Sequence, residues 1–156
     1  MKVTAVVPMK LNNRRLPQKN TKCFKNGKPL CWYILSTLLK INEIEEVYVY
    51  CSNLIAFTLQ NIPILDQDST KMNEVLQAFA KEIPSDIYVM THTTAPFIKS
   101  SSIKKGLEAV LSGDFDSSFA VKKLQDFLWK DGRPFNYELD NIPRTQDLPP
   151  LFEETS

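Results

Sequence analysis

The sequence predicts a three-layer α/β fold built on a mostly parallel sheet. Apolar strands alternate with helical stretches from the amino terminus to about residue 122. The leading strand is apolar on both faces, which is the pattern of a central parallel strand. A long polar loop leaves the carboxyl end of that strand, where open α/β sheets carry their ligands.

The elements follow in order. Lys2 to Pro8 reads as the buried first strand, with Val3, Ala5, Val6 and Val7. Met9 to Lys28 is a polar loop, closed by a turn at Gly27 and Pro29. Leu30, Tyr33, Ile34, Thr37, Leu38 and Ile41 recur at helical spacing and predict a helix over 30–42. Glu46 to Cys51 is a second strand, Leu54 to Gln60 a short helix and Ile62 to Leu65 a third strand. Ser69 or Thr70 is expected to cap a helix carrying Val75, Leu76, Phe79 and Ile83. Asp86 to Met90 is a fourth strand, followed by a loop over 91–99. Ser100 to Ser102 offer caps for a helix bearing Ile103, Leu107, Val110 and Leu111, closed by Gly113. Ser117 to Lys122 is expected as a fifth strand. A turn at Asp131-Gly132-Arg133 and a proline-rich tail come last.

The chain has 156 residues, 43% hydrophobic and 24% charged, which fits one globular domain. No apolar run approaches the roughly eighteen residues of a membrane helix. The apolar start is too short for a signal peptide, so a cytoplasmic protein without membrane attachment is expected. Cys23, Cys31 and Cys51 match no metal spacing and read as reduced thiols. The net charge of +1 conceals a segregation. Residues 1–42 carry nine Lys or Arg and no Asp or Glu, while the remainder carries ten basic and eighteen acidic residues. Seven of the nine early charges fall between Lys10 and Lys28. So compact a positive field suits a polyphosphate better than a long nucleic acid. A solvated basic loop or an RNA patch is the alternative.

That loop contains neither GxGxxG nor GxxxxGK[ST], so it is neither a dinucleotide fingerprint nor a P-loop. It offers cations and asparagine amides, bracketed by Pro8 and Pro17. Val7-Pro8-Met9-Lys10-Leu11-Asn12-Asn13-Arg14-Arg15-Leu16-Pro17-Gln18-Lys19-Asn20 resembles, with identical spacing, the first-strand motif I-P-A-R-x-x-S-K-G-I/L-P-x-K-N. That motif belongs to the acylneuraminate (sialic acid) cytidylyltransferases and, more distantly, the KDO cytidylyltransferases. Gly27-Lys28-Pro29-Leu30, Thr94-Ala95-Pro96-Phe97, Phe119 to Lys123 with Trp129, and Pro143-Arg144-Thr145-Gln146-Asp147-Leu148-Pro149-Pro150 resemble later blocks of the family in the same order.

The resemblance implies a Rossmann-like sheet of the nucleotide-diphospho-sugar transferase type. It implies a single nucleotidyltransferase domain over 1–156 that lacks the family's C-terminal part, with 125–156 as a dimerisation or tail element. The implied reaction transfers CMP from CTP to an acidic sugar, sialic acid or a related nonulosonic acid, and releases pyrophosphate. Lys10 and Lys19 would be catalytic. Lys10, Asn13, Arg14, Lys19, Asn20 and Ser52 would hold the nucleotide. His92, Thr93, Thr94, Arg144 and Gln146 would hold the sugar, the last two in an element that reaches a partner subunit in a homodimer. Mg²⁺ is implied as cofactor, with its carboxylates expected beyond residue 156. Lys10 stands in place of the family's arginine and loses its fork of donors. Asn13 replaces its serine.

Two other readings remain. Ile64-Leu65-Asp66-Gln67-Asp68 is an apolar strand ending in DxD, as in metal-dependent glycosyltransferases. A nucleotide-binding or dimerising domain without turnover is the third. The aromatic tail residues Phe127, Trp129, Phe135 and Phe152 would then form an interface.

Overall fold

The computed structural model describes residues 1–10, 15–52, 64–66 and 71–155, with the backbone alone at Ser52 and 64–66. The expected helix over 54–60 lies outside the described residues, as do Gln67 and Asp68, the rest of the DxD reading after Asp66, and Ser69 and Thr70. By internal contact the chain divides into two compact units, 1–116 and 117–155.

The first unit is the parallel sheet. Strand β1 (Val3–Lys10) pairs in parallel with β2 (Glu46–Ser52) on one side and β4 (Ile87–Met90) on the other. Strand β3 (Ile64–Asp66) pairs in parallel with β2, giving the order β3-β2-β1-β4. β1 is central and buried on both faces because its alternate side chains serve two different cores. Val3, Ala5, Val7 and Met9 pack on one face with Cys31, Ile34, Leu35 and Leu38 of helix α1 (Leu30–Leu38) and with Ile103 and Leu107 of helix α3 (Ser100–Leu111). Val6 faces the other way, with Tyr50 of β2 and with Val75 and Phe79 of helix α2 (Met72–Glu82). Phe79 is fully buried, its ring edge-on to Tyr48, Tyr50 and Tyr88 at 5.6, 5.4 and 6.0 Å. Helices therefore cover both faces, as the alternation of elements predicts.

Several boundaries differ from expectation. α1 ends at Leu38 rather than 42, because Lys40 and Ile41 donate to Thr37 and Leu38 and tighten the chain into turns. Lys71, not Ser69 or Thr70, stands at the N-cap of α2, and Lys99, not a serine, at that of α3; neither cap has a side-chain hydrogen bond. Gly113 does close α3, in the left-handed conformation at φ 81°.

The expected fifth strand is displaced. It runs from Val121 to Leu124 as β5 and pairs antiparallel with β8 (Leu151–Glu154), in the second unit. Lys122 and Lys123 occupy successive positions and so put a charge on each face, which a buried parallel strand does not tolerate. The second unit also holds a hairpin of β6 (Trp129–Lys130) and β7 (Arg133–Pro134). Its two turn residues, Asp131 and Gly132, both have positive φ, as the tight hairpin turn requires. Phe127, Trp129 and Tyr137 cluster there edge to face, and Gln125 donates to the Gln146 and Leu148 carbonyls.

Candidate functional site

β1 and β2 run together to Lys10 and Ser52, but the last pairing of β1 with β4 is Val6 with Met90. Thr91 still donates its N–H to the Val6 carbonyl, and there the two strands part. The order of strands also reverses at this point, since the chain builds outward from β1 to β3 and then returns to β4. A crevice opens beyond the carboxyl ends of β1 and β4, the place where such sheets take ligands.

The cavity in that crevice measures about 230 Å³ and is lined by Pro8, Met9, Lys10, Lys19, Asn20, Met72, Val75, His92, Thr93 and Thr94. Lys10 ends β1, and the loop returns to it through a tight turn. Lys19 donates its N–H to the Leu16 carbonyl at 3.3 Å across Pro17 and Gln18. Gln18 sits at φ 56°, the third position of a turn that normally takes glycine there. Asn20 follows and is buried. Its amide donates to the Lys10 carbonyl at 2.8 Å, and its amide oxygen accepts the Thr93 hydroxyl at 2.8 Å. Its own backbone carbonyl accepts the N–H of Cys31 in the first turn of α1, at 3.1 Å.

The structure thus brings together Lys10, Lys19, Asn20, His92, Thr93 and Thr94. Ser52 ends β2, in register with Lys10. Arg144 and Gln146 lie in the second unit, in and just before a 3₁₀ turn, Thr145–Asp147, where Arg144 makes a two-point ion pair with Asp147 at 2.7 and 3.2 Å. Asn13 and Arg14 lie outside the described residues. Met72 and Val75 were not foreseen. Their signal was available: α2 follows β3, whose carboxyl end is on the same edge, so its first turn must border the crevice.

The lining offers two ammonium groups, an imidazole, hydroxyls and amides, with an apolar wall from α2. Such donors neutralise and orient an anion as charge develops on it. No carboxylate lines the cavity, and among the described residues no group of three or more His, Cys, Asp or Glu could hold a metal ion. The described residues therefore do not fit a Mg²⁺ site. Phe24, Lys25, Asn26, Leu30, Tyr33, Pro96 and Phe97 border a second, mostly apolar recess of about 450 Å³. Among the described residues no helix is long and apolar enough to cross a membrane.

This sheet, with its basic loop at the switch point, is the layout of nucleotidyltransferases with a Rossmann-like α/β fold. The chain matches the family model described as "Cytidylyltransferase" over residues 4–128, and it belongs to that family. No curated protein matches it in sequence. Among solved structures it is similar to a CMP:2-keto-3-deoxy-manno-octonic acid synthetase complexed with CTP, at 18% identity and TM-score 0.62, covering 72% of this chain and 48% of that one. It is similar to a cytidylyltransferase from Leptospira borgpetersenii, at 17% identity and TM-score 0.63, covering 78% and 53%. A 2-C-methyl-D-erythritol 4-phosphate cytidylyltransferase from Thermus thermophilus also shares the fold, at 15% identity and TM-score 0.61, covering 100% and 68%. The chain spans about half the length of the first two.

Proposed function

We propose that the crevice between β1 and β4 binds CTP, and that the chain supplies the nucleotide-holding part of a transferase that moves CMP to an acidic sugar. One observation carries the reading. Lys10, Lys19 and the 92–94 loop meet in a single cleft at the switch point, inside the segment matched by the family model. In the proposed reaction an acceptor hydroxyl oxygen bonds to the α-phosphorus, the bond to the bridging oxygen breaks, and pyrophosphate leaves. Lys10 and Lys19 would hold the phosphates, lowering the cost of gathering negative charge in one place. His92 and Thr94 would meet the sugar, whereas the Thr93 hydroxyl is turned to Asn20. A nonulosonic acid such as sialic acid is the proposed acceptor, because the sequence blocks resemble the acylneuraminate branch more than the KDO branch. Arg144 and Gln146 are proposed to serve the sugar site of a partner copy in a homodimer.

The deciding experiment measures CTP binding by calorimetry and pyrophosphate release with CTP, Mg²⁺ and a panel of nonulosonic acids, KDO included. UTP and UDP-sugars are the controls. CTP binding, and pyrophosphate release that requires a nonulosonic acid, are expected, with neither from UTP or UDP-sugars. Turnover of a UDP-sugar without any CTP binding would overturn the reading in favour of a glycosyltransferase. CTP binding without release would reduce it to nucleotide binding.

A further inference from the structure

Family resemblance assigns Asn20 to the nucleotide, but its side chain is turned inward. Only 3% of the residue's surface is exposed, and Thr93 is equally enclosed at 4%. The Lys10 carbonyl can only accept, so the nitrogen of the Asn20 amide must face it, and the oxygen is left to take the Thr93 hydroxyl. The backbone carbonyl of the same residue holds the start of α1. One asparagine therefore joins the end of β1, the first turn of α1 and the loop after β4, in the gap where β1 and β4 no longer pair. Lys19, one of the two cations of the cleft, is its immediate neighbour. On the other side of Lys19 stands the turn with Gln18 in a left-handed conformation that costs a non-glycine residue free energy.

We propose that the Asn20–Thr93 pair is a positioning clamp: it fixes the backbone on which Lys19 stands, so that the ammonium is aimed at a polyphosphate before the ligand arrives. Asn20 and Thr93 are then positioning residues rather than ligand contacts. The ordering is done on folding, and binding need not supply it. The proposal rests on reading the cleft as a polyphosphate site, and it does not depend on the base being cytosine.

The test uses the whole chain, with inorganic tripolyphosphate and CTP as probes in calorimetry. Thr93→Val keeps the shape of the side chain and removes the hydroxyl; Thr93→Ser restores it. Thr93→Val should raise the dissociation constant for both probes about tenfold, and Thr93→Ser should bind like the parent. In a Lys19→Ala background, Thr93→Val should add less than about twofold, because the clamp acts through Lys19. Should Thr93→Val fail to fold, Thr93→Ala carries the same comparison, since water can enter beside Asn20. Unchanged affinity in a folded variant lacking the hydroxyl overturns the clamp. So does a full additional loss in the Lys19→Ala background, which is what a merely structural role gives. Tripolyphosphate binding without CTP binding leaves the clamp standing and removes the CTP reading. A parent chain that binds neither probe removes both.

Discussion

Lys19 and Cys31 are near neighbours through the Asn20 backbone, yet they sit in opposite environments. Lys19 is half-buried beside the cleft. Lys19→Ala should weaken CTP binding by at least ~1 kcal/mol, the scale of a charge-assisted contact; an unchanged calorimetric affinity removes Lys19 from the site. Cys31 is fully buried on the inner face of α1, and burial pushes its thiol up to about 11. A thiol with its pKa raised stays neutral as pH rises, and only the thiolate reacts. Cys51 is buried as well, whereas Cys23 is exposed. At pH 8 a disulfide reagent should therefore label one thiol quickly in the native protein and all three after denaturation. Rapid labelling of Cys31 in the native state would contradict its burial.

At the scale of elements, Phe79 is the largest side chain that α2 buries. Phe79 is enclosed by Tyr48, Tyr50 and Tyr88 and completes the smaller core beneath Val6. Phe79→Ala should cost about 3–5 kcal/mol, read as a lowered denaturant midpoint at constant slope. A loss under about 1 kcal/mol would mean that α2 is not packed as described. Helical spacing made Val75 and Phe79 legible as core, and the two-faced apolarity of β1 made it legible as the central strand. The helix starts were less legible. A serine or threonine near a start suggests a cap, but the first helical turn is set by where the backbone leaves the preceding loop. At Lys71 and Lys99 that point has no capping side chain. β5 was misjudged because local pattern reports burial and not partnership, and its partner β8 lies 27 or more residues further on in sequence. In the cleft, the strand order put the loops after β1 and β4 at one end of the sheet, and the family resemblance pointed to Lys10, Lys19 and 92–94 within them. The inward turn of Asn20 could not be read, since spacing does not say which way an amide points.

For the whole molecule, charge is the organising feature. The basic segment of residues 1–42 folds so that Lys10 and Lys19 reach one edge of the sheet, in a chain whose net charge is only +1. Such a field acts on a charged ligand through screened interactions, with a range of about 10 Å at 0.1 M salt and about 3 Å at 1 M. CTP affinity should accordingly fall at least about threefold between 0.05 and 0.5 M monovalent salt. A salt-independent affinity in titrations would assign binding to the apolar wall of Met72 and Val75 instead.

The parting of β1 from β4 has a further consequence. The even-numbered residues of β1 turn their backbone polar groups toward β4, as the carbonyls of Lys2 and Val6 show. Past Val6 that side of the strand is an internal edge, a short template on which a foreign extended segment could pair. Pro8 occupies the next even position and has no N–H to offer, and the carbonyl of Lys10 is already taken by Asn20. Two of the backbone groups that an added strand would use there are thus absent or already taken.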